Sequence, residues 1–227
     1  MEAGRYPYFY GPEGRLLQVD AALQAVSRGS NTIGIQTEEY IMLSSQVKPT
    51  RPLLDPMEKI YNIDEHIGAT GSGYVGDILK LIDEIRLESQ RHRLTYDTPI
   101  DTASLARHLG NYLHNYTLYS VRPHGASVIL GGFDALGLQL LQVDPSGTYF
   151  KGQAFAIGQN ADAALSVIEG EYKKQMTVEE GAELSTKAIK AAVEEDPLIE
   201  FGLVKKDTGK FEKISPDGFK ARLPESG

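Results

Sequence analysis

The sequence contains no cysteine and no tryptophan. Without thiols, disulfides and thiolate metal sites are both excluded. Long apolar runs are missing too, and no stretch approaches the length needed to span a bilayer. The opening MEAGRYPYFY lacks the charged-then-apolar pattern of a secretory signal, so the chain reads as cytoplasmic and free of membrane. Basic runs are equally scarce. Arg91, His92 and Arg93 form one short patch, and a net charge of −8 argues against a nucleic-acid surface. The five histidines are scattered with no i, i+4 pair, so no metal site is expected. Neither a phosphate-binding P-loop nor a G-x-S-x-G elbow occurs, and no cofactor is expected.

What is present is an ordinary globular composition, 227 residues with 41% hydrophobic. No composition shift, repeat or low-complexity segment divides the chain, so one domain is expected over 1–227. Within it, 1–10 reads as an N-terminal tail, 11–29 as a turn and helix, 30–215 as the core, and 216–227 as a C-terminal tail. The tail crowds Tyr6, Tyr8, Phe9 and Tyr10 around Pro7. In GPEGRLLQVDAALQAVSRG, Pro12-Glu13-Gly14 reads as a turn. A helix follows, with Leu16, Val19, Leu23 and Val26 as its apolar stripe. Ala21, Ala22 and Ala25 keep the adjoining surface thin enough for another element to come close. Gly29 ends the helix.

Alternating stretches then predict hairpins. TIGIQT and YIMLSS turn about Glu38-Glu39, and IYNID pairs with HIGAT. The segment KPTRPLLDPMEK, with three prolines, reads as a surface connection. A long helix from Gly73 to about Arg93 carries Val75, Ile78, Leu79, Ile82 and Ile85 inward. Asp101 caps the next, whose stripe is Leu105, Leu109, Tyr112, Leu113 and Tyr116. Three strands, ASVILGGF, LQLLQVD and TYFKGQAFAI, precede two more helices. The second of these opens on a capping box at Thr177-Val178-Glu179-Glu180. FGLVKKD and KFEKI form a closing hairpin, and SPDGFKARL reads as a last short helix. Helices come in pairs and consecutive strands join by tight turns. The fold class is therefore α+β (α/β in the broad sense), two mainly antiparallel sheets face to face with a helix pair outside each.

Two motifs invite chemistry. Gly71-Ser72-Gly73-Tyr74-Val75-Gly76 matches G-x-G-x-x-G between a strand and a helix, with Asp97 downstream. That pattern fits a dinucleotide-binding protein or a plain glycine-rich turn. Asp97 lies in a Thr-Tyr-Asp-Thr-Pro break and not at a second parallel strand, which favours the turn. The other motif is Gly29-Ser30 at the entry to the first strand.

At 11–29 the sequence resembles the 20S proteasome α-subunits, non-catalytic members of the Ntn-hydrolase class. Further pieces carry the likeness: Met57-Glu58-Lys59-Ile60 with Ile63-Asp64, Val121-Arg122-Pro123-His124-Gly125-Ala126-Ser127, and Val143-Asp144-Pro145-Ser146-Gly147. The resemblance implies a four-layer α-β-β-α sandwich. It also implies a seven-membered ring, homomeric or mixed, stacked on β-subunit rings. Such a ring does no chemistry. It gates the entry of unfolded protein substrates and receives the C-terminal tails of ATPase or other activators. Carried over residue by residue, the activator pocket falls on Lys59, Gly29 and Tyr74, with Lys59 pairing with a tail carboxylate. The gate and reverse turn fall on Arg5, Pro12 and Asp20. The hydrolytic relatives expose an N-terminal Thr supported by an Asp and a Lys. Here Ser30, Gln46 and Lys59 align with those three, so the alternative is a self-processed hydrolase with Ser30 as nucleophile. The departures are Ala3 and Gly4 in the tail, Ala21 for a usual tyrosine, Tyr74 for a usual aliphatic residue, and His124 for a usual aromatic one.

Overall fold

The computed structural model describes residues 10–11, 13–48, 53–54, 57–119, 122–193 and 196–214. The expectations placed on the tail 1–9, on Pro12, on Val121 and on SPDGFKARL lie outside these residues.

The chain opens with α1 (Leu17–Val26), followed by β1 (Thr32–Gln36) and β2 (Tyr40–Val47). Next come β3 (Ile60–Asp64), β4 (Ile67–Gly73), α2 (Val75–Tyr96) and α3 (Thr102–Tyr119). The strands β5 (Ala126–Asp134), β6 (Gly137–Val143), β7 (Tyr149–Lys151) and β8 (Ala154–Ile157) follow. The described chain finishes with α4 (Ala161–Glu171), α5 (Val178–Ala192), β9 (Leu198–Lys205) and β10 (Phe211–Ile214). Among the described residues, ten strands make two five-stranded sheets, in the orders β10-β9-β2-β1-β8 and β3-β4-β5-β6-β7. Among the described residues every strand pairing is antiparallel.

Side-chain alternation builds the layers. On β1, Ile33 and Ile35 face outward into a core with Met42, Ile168, Ala188 and Ile189. Gly34 between them faces the second sheet, where an added Cβ would meet Ile129 Cγ2 at 2.8 Å. Between the sheets lie Ile41, Leu43, Ile129, Leu140, Val204 and Phe211. Outside the second sheet, Ile78, Ile82, Leu105 and Leu109 pack onto Ala69 and Leu130. This is the expected α-β-β-α arrangement, with α2 and α3 on one outer face and α4 and α5 on the other. Local signals set the helix starts. Asp101 Oδ1 accepts from Ser104 N at 2.7 Å. At α5, Thr177 Oγ1 accepts from Glu180 N while Glu180 Oε2 accepts from Thr177 N, completing the capping box. Gly147 takes φ +88° in the Asp144 turn, a conformation open to glycine at no steric cost.

Four expectations are corrected. The buried line of α1 is Val19, Ala22 and Val26, while Leu23 is exposed. The helix packs mainly on β4 and β5, which cover one stripe of it. On α2 the inward residue is Leu81 and not Leu79, because 3.6 residues per turn favours 78, 81, 82 and 85 over a stripe drawn through 75 and 79. The helix also starts at Val75, since Gly73 still pairs with Ala126 in β4. TYFKGQAFAI is not one strand. Its first part edges the second sheet and its last part edges the first, the chain crossing at Gly152-Gln153. Among the described residues, no helix is long and apolar enough to cross a membrane.

Candidate functional site

The C-terminal end of α1 meets the β4–α2 junction where side chains are nearly absent. A Cβ on Gly29 would collide with Ser72 Oγ and Gly73 N. One on Gly73, at φ +123°, would collide with Gly125 O. Ser72 Oγ donates to Ser30 O at 2.9 Å and lies 3.2 Å from Val26 O, fastening the end of α1 to β4. Tyr74 N donates to Gly125 O at 2.9 Å. Gly71 and Gly73 of the G-x-G-x-x-G match are thus explained by packing, while a Cβ on Gly76 would meet open space. Gly71 faces Ser127 O, which an added Cβ would meet at 2.9 Å. The strands beside β4 are antiparallel, and Asp97 caps the far end of α2 in the left-handed conformation. A helix of that length puts it about 33 Å away. The dinucleotide reading is therefore corrected to a close-packed strand-to-helix turn.

Beside this junction runs a cleft of about 480 Å³. Six of its lining residues have no side chain beyond Cβ: Ala21, Ala22, Ala25, Gly29, Gly73 and Gly125. Tyr74, 65% exposed, and Pro123 add apolar surface, while Gln18, Gln24, Arg28 and Arg122 supply the polar groups. Arg122 is fixed in place. Its Nη1 and Nη2 donate to the two oxygens of Asp77 at 2.6 and 2.8 Å, and Nη1 also reaches Pro123 O at 3.1 Å. Gly125 N donates to the same carboxylate at 2.8 Å. The Arg122 guanidinium holds the buried Asp77 carboxyl below the usual range, with the Gly125 N–H adding to it. His124, between Pro123 and Gly125, is 7% exposed and packs on Tyr116 and Tyr112 with ring centroids 4.3 and 5.7 Å away. Burial pushes its pKa down, and among the described residues Nδ1 has no hydrogen-bond partner.

Lys59 enters β3 on the strand next to β4 and is 8% exposed. Glu200 Oε2 accepts from the backbone N–H of Lys59 at 2.7 Å and of Ile60 at 3.3 Å. Thr70 Oγ1 donates to Lys59 O at 2.8 Å. Those bonds fix the backbone and leave the ammonium without an ion pair among the described residues. Burial pushes its pKa down, against an upward pull from Glu200.

The structure therefore brings Gly29 and Tyr74 together on one cleft and sets Lys59 one strand away, outside its lining. Asp20 pairs with Arg15 Nε at 2.9 Å in the first turn of α1. Arg5 and Pro12 lie outside the described residues. The Ser30 alternative gains nothing. The Ser30 nitrogen is a peptide nitrogen following a helix built into the fold. Gln46, in the acid's place, donates its backbone N–H to Asn31 O at 2.8 Å, and its Oε1 accepts from Asn31 N at 3.4 Å. Sequence reading missed the pairing of Asp77 with Arg122. Asp77 in a first helical turn is favoured by the helix N-terminus alone, so nothing local calls for a cation, and the partner is 45 residues away. A second cleft of about 620 Å³ lies at the opposite ends of the strands, near His66, Arg93 and Asp101. Its Arg93 is committed to Asp64 at 2.7 Å and its lining mixes both signs, so it offers no single-charge chemistry.

Comparison with known proteins places this arrangement. Residues 26–204 match the family model described as proteasome subunit. The chain is 37% identical over 222 residues to a "Proteasome subunit alpha" of Methanoculleus marisnigri, covering 95% of this chain and 92% of that one. It is 39% identical over 217 residues to the protein of that name from Archaeoglobus fulgidus, covering 93% and 88%. The similarity extends to "Proteasome subunit alpha type-5" of Trypanosoma brucei brucei, 37% identical over 215 residues, covering 89% and 87%. With its helix before the first strand and its two helix-covered antiparallel sheets, the chain belongs to the proteasome subunit family, as an alpha subunit of the 20S core particle.

Proposed function

We propose that this chain is one cytoplasmic domain acting as a ring-forming, non-catalytic subunit. Its α1 cleft takes the C-terminal tail of an ATPase or other activator. The ring, of one or several α-subunit types, stacks on β-subunits and controls the entry of unfolded proteins. The observation that carries this reading is the cleft itself. Half of its lining is alanine and glycine, which leaves room for close approach of a main chain, and a buried lysine without an ion pair among the described residues stands beside the neighbouring strand. In this reading the Lys59 ammonium meets the tail carboxylate, Gly29 allows close backbone approach, and Tyr74 packs on the tail. A carboxylate at Lys59 offsets the cost of burying an unpaired cation. The gate is assigned to the N-terminal segment through Arg5, Pro12 and Asp20. The Asp20–Arg15 pair supports an ordered start of α1 beside it.

The test is binding of a fluorescent peptide with a free C-terminus to the assembled particle. Lys59→Met is expected to weaken it by about 2 kcal/mol, roughly thirtyfold, as is amidation of the peptide. Equal affinity across these variants would reject the role. The chain alone is expected to turn over no fluorogenic peptide. Turnover that Ser30→Ala abolishes would restore the hydrolase alternative.

A further inference from the structure

We infer that the α1 cleft discriminates among tails by charge, selecting those with an acidic side chain upstream of the terminal carboxylate, and that Arg28 is the residue that reads it. This rests on the reading of the cleft as a tail-docking site.

Three observations lead there. The chain carries a net charge of −8, yet the lining of this cleft contains two arginines and no Asp or Glu. The charged side chains that line the cleft are thus both basic in a chain that is acidic as a whole. The two arginines are also not equivalent. Arg122 spends its charge on Asp77, and three of its five N–H donors are used by Asp77 and Pro123 O. It remains a rigid neutral-pair donor, able to hydrogen-bond a tail but adding little net charge. Arg28 stands in the turn after α1, exposed, and makes no ion pair among the described residues. Its backbone N–H is held by Ala25 O at 3.3 Å, so its position is set while its guanidinium stays uncommitted. Finally, the lining limits what else can confer specificity. With six lining residues ending at Cβ or Cα, the cleft has few side chains that could sort one tail from another. Tyr74 and Pro123 reward apolar groups in general. Gln18 and Gln24 add uncharged polar groups, and Arg28 is the one charged lining side chain without an ion pair among the described residues.

The partner implied is an extended peptide terminus with a free carboxylate and at least one Asp or Glu before it. The guanidinium matches a carboxylate through paired N–H donors, which a neutral amide cannot reciprocate with equal strength.

The experiment uses the intact core particle and fluorescent peptides that end in a free carboxylate. Glu, Gln or Lys is placed in turn at each position before the terminus. At the responsive position, Glu is expected to bind about two- to fivefold tighter than Gln, as for a solvent-exposed charge pair, and Lys weaker than both. Arg28→Gln is expected to level the three. Arg28→Glu is expected to invert the order so that the Lys peptide binds best, an outcome that simple damage to the turn would not produce. Equal binding of all three to the native particle overturns the inference. The docking reading survives that result if amidating the terminus still weakens binding. A Glu preference that persists in Arg28→Gln also overturns it, because another cation would then be the reader. Absence of binding by any peptide overturns both.

Discussion

The two outer faces of this sandwich are built from different materials. Under α2 and α3 the core is Ile78, Leu81, Ile82, Ile85, Leu105 and Leu109. Under α4 and α5 much of it is alanine, at 164, 182, 188 and 192. Outward, the contrast reverses. Leu79, Leu87, Leu94 and Tyr96 of α2 and Leu118 of α3 stand exposed, with Leu94 at 88%. None of the large exposed apolar residues among the described ones lies on α4 or α5, whose outer side carries Lys187 paired with Glu171 and Lys190 with Asp196 at 2.7 Å. We read the exposed apolar side chains of α2 and α3 as surface for a partner subunit, and the ion-paired face of α4 and α5 as facing solvent. One helix pair is thus anchored by bulky side chains and apolar outside, and the other is anchored largely by alanine and charged outside.

The largest effect tests the anchoring. Ile82→Ala is expected to destabilise the fold by about 2–5 kcal/mol through the cavity it leaves. Ala188→Gly on α5 should cost only about 1 kcal/mol, mainly helix propensity. Urea unfolding of the two variants measures both, and equal losses would erase the distinction.

Acid should separate the faces next. Asp77 and Asp64 both titrate below their ordinary value in the fold, and His124 is likewise depressed. A depressed folded pKa means the unfolded chain binds protons first. Stability is therefore full above the ordinary His value of 6.5 and falls as pH drops through it, then falls again below 3.8. All three groups lie on the α2–α3 side. Amide exchange is expected to rise there first on acidification, with α4 and α5 protected longer. His124→Phe should remove the earlier of the two losses. Uniform loss of protection would contradict the assignment.

The smallest effect on the chain itself comes from the surface. Leu87→Glu with Leu94→Glu is expected to change stability by no more than about 0.5 kcal/mol. It should nonetheless reduce co-assembly with the other subunits, seen by size-exclusion chromatography. Glu183→Ala with Lys187→Ala on α5 should leave assembly as it was.

The same contrast explains what could be read from the sequence. Period-2 strands, the Asp101 cap and the Thr177 capping box are local, and they were legible because each signal sits within a few residues of its effect. The division of TYFKGQAFAI was not, since Gly152 is one turn residue among several and nothing nearby states that the strand changes sheet. Leu23 was misplaced because α1 carries apolar residues on two faces, and the sequence does not say which is covered within the chain. At the site, the thin surface of Ala21, Ala22 and Ala25 was visible beforehand, as was the resemblance that singled out Gly29, Lys59 and Tyr74. The Asp77–Arg122 clamp and the separation of Lys59 from the cleft lining are products of long-range packing. No local pattern encodes them.

The order of strands also sets a timetable for synthesis. Met42 of β2 lies opposite Leu203 of β9, so the centre of one sheet waits for a strand about 160 residues further along the chain. At about 5–20 residues per second, that wait is on the order of 10–30 s. During it the β1–β2 hairpin has an open edge with Ile41, Met42 and Leu43 uncovered. Pairings of such long reach are slow to form and vulnerable to mispairing. The emerging chain therefore depends for that interval on whatever shields the hairpin, whereas the second sheet has all its strands once β7 is made.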